Sequence, residues 1–227
     1  MHGVDYGGYA YGFWTTVVFV FLVFMFIVFS YVKPKEKFEW RSMGLFIGFL
    51  AALFTEMYGF PLTIYLLTSW LGSNYPVLDP FSHSSGHLVL VFLGLSHSTV
   101  AMSVLHLVTN GIIFFGIYII YLGWKKIYHA TGEQLVTDGI YAHIRHPQYV
   151  GMMLITIGFL IQWPTIITLA MWPILLFLYY RLSKYEEKKL AAKFRQEFHE
   201  YQAKVPAIIP QIGRGKREIN KVHEQKP

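Results

Sequence analysis

Arg145, His146 and Pro147, flanked by Tyr141 and Tyr149, are the side chains in this sequence best placed by type and spacing to do chemistry. They lie in the run from Leu135 to Gly151, at the mouth of a hydrophobic hairpin in a chain that is otherwise mostly apolar. Asp138 and Gly139 form a turn signal that brings the chain round to Tyr141. Pro147 suits the first position of a helix, where its missing N–H would have no partner anyway. His146 then falls at the N-cap with free backbone N–H groups beyond it, and Arg145 reinforces the anion affinity of that helix end. Such a group can hold a charged, water-soluble ligand against an apolar one. The plainer alternative is membrane anchoring, with Arg and His reaching to the interface and Tyr joining an aromatic belt.

A second cluster bears on the choice. Glu186 and Glu187 follow the last apolar stretch, close to Arg181 and Lys184, and the hairpin returns them to the side of Arg145 and His146. A cation with N–H groups for a carboxylate, plus a carboxylate for an ammonium, matches an amino-acid moiety. S-adenosylmethionine carries that moiety, together with an adenine that tyrosines and apolar side chains can pack. The competing reading of the acidic pair is a solvated helix face.

The elements that must position these groups are membrane elements. Of 227 residues, 54% are hydrophobic and only 14% charged, against about 25% charged in an ordinary soluble domain. Phe13 to Val32 is twenty residues without a charge, the length that crosses hydrocarbon. No Lys or Arg precedes it and no small-residue cleavage site follows, so it reads as a retained span rather than a signal peptide. The net charge of +6 gathers at segment ends: Lys33, Lys35, Lys37 and Arg41; Lys125 and Lys126; and the tail from Arg181. That distribution describes topology, not nucleic-acid binding, and puts the three clusters in the cytoplasm with the N-terminus outside. The absence of cysteine excludes disulfides, thiolate metal sites and a cysteine nucleophile.

Met43 to Leu71 is apolar but interrupted at Gly59, Phe60 and Pro61, as one kinked helix or two shorter ones. Gly72 to His87 is a polar loop. Leu88 to Trp124 is too long for one span, and Ser96 to Thr99 separates a short or re-entrant piece from a full span near Leu105–Trp124. Val150 to Arg181 holds two apolar stretches divided by Trp163 and Pro164, a helical hairpin that returns to its starting side. The expected fold is all-α: a polytopic transmembrane bundle of about five spans, with seven as the alternative. Beyond Arg181 the spacing of Leu190, Phe194, Phe198 and Tyr201 predicts one cytoplasmic amphipathic helix, lying on the membrane or capping the bundle. Pro206 and Pro210 end it, and the remainder reads as a solvated tail.

Two further features compete for a function. His83 and His87, with His97 and His106 downstream, have metal-ligand spacing if helical. His83 falls in a Ser/Gly-rich loop, which favours interfacial or hydrogen-bonded histidines, and no metal is assigned. Glu56 lies inside an apolar stretch, where an ionisable group is costly and often functional; it faces an acceptor cavity or reaches the interface near Tyr58. Together they support a rival reading as a membrane transporter or metal-binding protein.

The C-terminal half resembles the isoprenylcysteine carboxyl methyltransferase family of integral-membrane methyltransferases and, more distantly, phospholipid N-methyltransferases. The resemblance rests on Leu135, Val136 and Thr137; Gly139, Ile140 and Tyr141; Arg145, His146 and Pro147; and Tyr149 and Gly151. It continues through Glu186 and Glu187, Leu190, Phe194, Phe198, Tyr201, Val205 and Pro206, and Ile209 and Pro210. It implies transfer of a methyl group from S-adenosylmethionine by direct displacement, in a cytoplasm-facing pocket closed by the C-terminal segment. The lipophilic acceptor would enter from the bilayer. Carried over, Gln134, Leu135, Val136, Tyr141, His146, Pro147, Tyr149 and Glu187 would bind the cofactor. Of the acidic pair, Glu187 rather than Glu186 is the favoured cofactor contact; Arg181 and Arg145 would hold the acceptor, with Glu186 beside them. Residues 1–124 would then shape the acceptor pocket, 125–212 would form the cofactor-binding region with its hairpin, and 213–227 would be a basic tail. A prenylcysteine carboxylate, a phospholipid amine and a small thiol all remain open as acceptors.

Overall fold

In the computed structural model the described residues are 11–32, 37–71, 74, 78–79, 82–129 and 134–209. The expected tail 213–227, Pro210, Lys33 and Lys35 lie outside them. Among the described residues every regular element is helical.

Helix α1 (Trp14–Tyr31) carries no charge and leaves Phe19, Leu22 and Phe26 exposed on its outer face. Water would penalise such a surface and hydrocarbon does not. Helix α2 (Lys37–Phe54) runs into a π-helical turn, Thr55–Gly59, before α3 (Leu62–Leu71). The two limbs, Met43–Gly59 and Leu62–Leu71, meet at 66°. Phe60 is extended (φ −131°, ψ 116°), as a residue before proline is pushed to be, and the helical ladder breaks there. The kinked helix and the pair of shorter ones, left open by the sequence, merge into one broken element.

Glu56 closes this break. Its Oε2 accepts the backbone N–H of Thr63 at 2.8 Å, and Thr63 Oγ1 accepts the N–H of Ile166 at 2.9 Å. The carboxylate thus sits at the start of α3 and is linked through Thr63 to the start of the last helix. It is 3% exposed, so it does not reach the interface.

The 3₁₀ turn His83–Gly86 and the short helix α4 (Leu88–Phe92) precede α5 (Thr99–His129). Ser98 caps α5 by accepting the N–H of Ala101 at 3.2 Å. The long apolar run therefore divides where the sequence places the break. Helix α6 (Pro147–Gln162) lies along α5 at backbone contact. A Cβ built on Gly151 would lie 2.5 Å from the carbonyl oxygen of Gly116, and one on Gly116 would lie 2.7 Å from that of Gly151. Small residues permit this approach, which membrane helices use in place of a hydrophobic driving force.

The hairpin turn at Trp163 and Pro164 leads to Thr165, which caps α7 (Ile166–Lys204) in a reciprocal arrangement with Thr168. Helices α1, α5 and α7 are long and apolar enough to cross a bilayer, and the bent α2–α3 pair makes a fourth crossing if counted as one. Helix α6, at 16 residues, is a shorter apolar element of the same bundle. The all-α polytopic fold is as expected, but the described residues hold three or four candidate crossings rather than five or seven, α6 being shorter than a full span.

The end of α7 departs from expectation. The last span and the amphipathic segment are one helix as far as Arg195, where the backbone turns sharply (φ 42°, ψ −114°). A straight helix would hold Glu187 and Gln202 about 22 Å apart, at ~1.5 Å per residue. Instead their side chains meet at 3.3 Å. Leu190 and Phe194 lie before the turn and Phe198 and Tyr201 after it, so the apolar stripe closes on itself, together with Val205 and Leu135. The segment after Arg195 is a strap that caps the bundle.

Candidate functional site

The strap, the start of α6 and the middle of α7 converge on one ionic cluster. His146 is the N-cap of α6 and Pro147 its first residue, as the sequence predicts. The backbone N–H groups of Arg145 and His146 donate to the carbonyls of Pro206 and Ala207, each at 3.0 Å, so the strap pairs with the chain entering α6. Tyr201 adds a hydrogen bond from its hydroxyl to the Tyr141 carbonyl at 2.6 Å.

Between these backbone ties lie the acids. Arg145 donates from Nε to Glu187 Oε1 at 3.0 Å and also from Nη2, while its Nη1 donates to the carbonyls of Gln202 (3.1 Å) and Val205. His146 stands between both glutamates, with Nδ1 3.2 Å from Glu186 Oε2 and Nε2 3.3 Å from Glu187 Oε1. Tyr149 donates its hydroxyl to Glu186 Oε1 and stacks between His146 and Tyr179. Lys184 Nζ (2.9 Å) and Gln202 Nε2 (3.3 Å) complete the shell of Glu187.

Beside this cluster is a cavity of about 290 Å³, lined by Tyr141, Arg145, His146, Pro147, Tyr149 and Glu186, with Ile127, Gln148, Lys189 and Leu190. Six of the residues singled out in the sequence thus share one cavity wall. Glu187 is buried behind it. Leu135 packs in the strap cluster; Val136 is half-buried and Gln134 exposed, and none of the three is among the lining residues. Arg181 is exposed on α7, its guanidinium 5.9 Å from the Phe177 ring centre, away from that wall. Sequence reasoning placed Lys184 near the acids without giving it a role, and missed Gln202. Gln202 carries no local signal, because only the turn at Arg195 brings it to Glu187.

At the opposite end of α6, His83 and His87 pack on Trp163, and His106 packs on His87. His87 Nδ1 lies 2.9 Å from the Gln162 carbonyl and His106 Nδ1 2.9 Å from that of Met102, while His97 is exposed. Among the described residues no three His, Asp or Glu side chains are arranged to hold a metal ion.

The two ends of α6 respond to pH with opposite sign. Burial pulls His83 down to about 4, with His87 and His106 adding to the shift. Between pH ~6.5 and ~4 the unfolded chain takes up a proton that the folded one refuses, so stability falls as pH falls through that window. For His146 burial opposes the charge, but hydrogen bonds to Glu186 and Glu187 outweigh it and raise the pKa. Its contribution is full below the unfolded value of ~6.5 and is lost as pH rises through the raised folded value. Thermal unfolding in detergent should therefore peak near neutrality. His83→Gln should flatten the acid limb and His146→Gln the alkaline one; limbs that neither substitution changes would contradict these assignments.

Residues 104–192, from α5 to just short of the Arg195 turn, match the model of the isoprenylcysteine carboxyl methyltransferase (ICMT) family. Over this stretch the chain is ICMT-like. A protein-S-isoprenylcysteine O-methyltransferase of Schizosaccharomyces pombe is 35% identical over 80 residues, 34% of each chain. The chain thus spans about a third of the length of that curated relative. The ICMT-like stretch contains the cavity residues of α5, α6 and α7 but neither α1–α4 nor the strap.

Proposed function

We propose that this protein is an integral-membrane, S-adenosylmethionine-dependent methyltransferase acting on a lipophilic acceptor of the prenylcysteine kind. The observation that carries the reading is the cavity at the start of α6, walled by Arg145, His146, Tyr149 and Glu186 within the ICMT-like stretch. Its volume of about 290 Å³ is near the lower end of the ~300–1,000 Å³ usual for small-molecule sites.

The residues present suit the cofactor. Glu186, half-buried and on the wall, would take the ammonium group, and the first turn of α6 offers N–H groups to the carboxylate. Tyr141, Tyr149, Ile127 and Leu190 give the adenosine aromatic and apolar contacts. When bound, S-adenosylmethionine supplies a methyl group on a cationic sulfur that an acceptor lone pair displaces directly. The chain's own part is alignment and exclusion of water. A carboxylate acceptor arrives ionised and needs only to be held. An amine or thiol acceptor must lose a proton, for which Glu186, or His146 in its neutral form, is the base on the wall.

Lys125, Lys126, Lys184, Lys188, Lys189 and Lys193 all fall near the cavity end of α5 and α7, which supports a cytoplasmic orientation for that end. The acceptor would enter from the bilayer. The test is transfer of labelled methyl from S-adenosylmethionine to an S-prenylated cysteine, a phospholipid amine and a small thiol, using purified protein in nanodiscs. Label on the prenylated cysteine, reduced at least tenfold by His146→Ala, is the expected result. Label on another acceptor would keep the enzyme class and move the substrate; label on none would reject the proposal.

A further inference from the structure

The adjacent glutamates are not equivalent, and the difference can be counted. Glu187 receives Arg145 Nε (3.0 Å), Arg145 Nη2 and His146 Nε2 (3.3 Å) on Oε1. Oε2 receives Lys184 Nζ (2.9 Å) and Gln202 Nε2 (3.3 Å). A carboxylate offers about four lone-pair sites, so these donors fill it. Its side chain is 6% exposed and does not line the cavity. Among the described residues Glu186 receives the Tyr149 hydroxyl and lies against His146 Nδ1, its side chain is 33% exposed, and it stands on the cavity wall.

We infer that the pair divides two tasks: Glu186 is the carboxylate that meets the ligand, and Glu187 is a positioning residue that locks the strap onto α6. The Glu186 half rests on the cofactor reading above; the Glu187 half does not. Glu187 grips Arg145, and the same guanidinium grips the carbonyls of Gln202 and Val205. Gln202 is held twice, through its carbonyl by Arg145 and through its amide by Glu187. The lock therefore joins α7, the entrance to α6 and residues 202–207 through one buried carboxylate. His146, placed between the two acids, ties the lock to the ligand-facing side. The family match, residues 104–192, includes Arg145, His146 and Glu187 and stops before the strap.

The experiment measures hydrogen–deuterium exchange over residues 196–209 and S-adenosylhomocysteine affinity in the full-length protein, for wild type, Glu186→Gln, Glu187→Gln and Gln202→Ala. Glu187→Gln and Gln202→Ala should speed exchange of the strap roughly tenfold or more without ligand, the scale of one lost hydrogen bond to a charged group. Added S-adenosylhomocysteine should restore the protection, which a merely misfolded variant would not do. Glu186→Gln should leave the strap protected and weaken binding roughly tenfold to a hundredfold. If Glu187→Gln does not fold, Gln202→Ala reads the lock with the ion pairs intact. A strap that stays protected in both variants overturns the lock. Full affinity in Glu186→Gln overturns its ligand role. Wild type that binds no S-adenosylhomocysteine rejects the cofactor reading and Glu186's part with it, while the exchange data decide Glu187's part alone.

Discussion

Arg145→Ala is expected to cost about 3 kcal/mol of stability, the lower end of what removing one partner of a buried ion pair costs. The lower end applies because His146 and Lys184 stay beside Glu187 and keep part of its compensation. The loss is not only of charge. Arg145 also satisfies the Gln202 and Val205 carbonyls, so its removal frees the strap as well as the acid. Arg145→Lys restores a charge but not the planar fork that reaches carboxylate and carbonyls together, so it should recover only part of the loss. Thermal unfolding in detergent, read with strap exchange, checks both. A variant within 1 kcal/mol of wild type, with the strap still protected, would mean that this cluster contributes little.

Gly151→Ala is the second large effect. The new Cβ would meet the Gly116 carbonyl oxygen and the Ile120 Cγ1, each at 2.5 Å. One of these is backbone and cannot swing aside, so α5 and α6 must separate. Overpacking costs about 1–3 kcal/mol in a well-packed core, and this contact lies a turn above His146, so the cavity wall should shift as well. Gly111 is the control: nothing lies within 4 Å of a Cβ there. Gly111→Ala should be neutral or slightly stabilising, because alanine is the better helix former. Similar unfolding midpoints for the two variants would show that the α5–α6 contact is looser than the geometry states.

Why the sequence disclosed some of this and not the rest follows from the range of each signal. The hairpin was legible because Trp163 and Pro164 interrupt an apolar run. The start of α6 was legible because Pro147 fits few places in a helix other than its first turn. The turn at Arg195 was not, since a positive φ at a non-glycine residue has no local marker and is set by what the strap packs against. That one residue converts a predicted continuous amphipathic stripe into two facing limbs, and so hid Gln202. Glu56 was recognisable as an intramembrane carboxylate, but its capping of α3 depends on a π-helical turn and a long-range partner in Thr63. The split between Glu186 and Glu187 is a matter of helical phase by a single residue, which sequence spacing alone does not resolve.

The most direct test of the cavity as a cofactor site is a binding titration of S-adenosylhomocysteine into purified full-length protein in detergent, with His146→Ala alongside. Saturable binding at one site per chain, weakened at least tenfold by His146→Ala, is the result predicted here. Folded wild-type protein that takes up no S-adenosylhomocysteine, or that binds it equally well without His146, would contradict it.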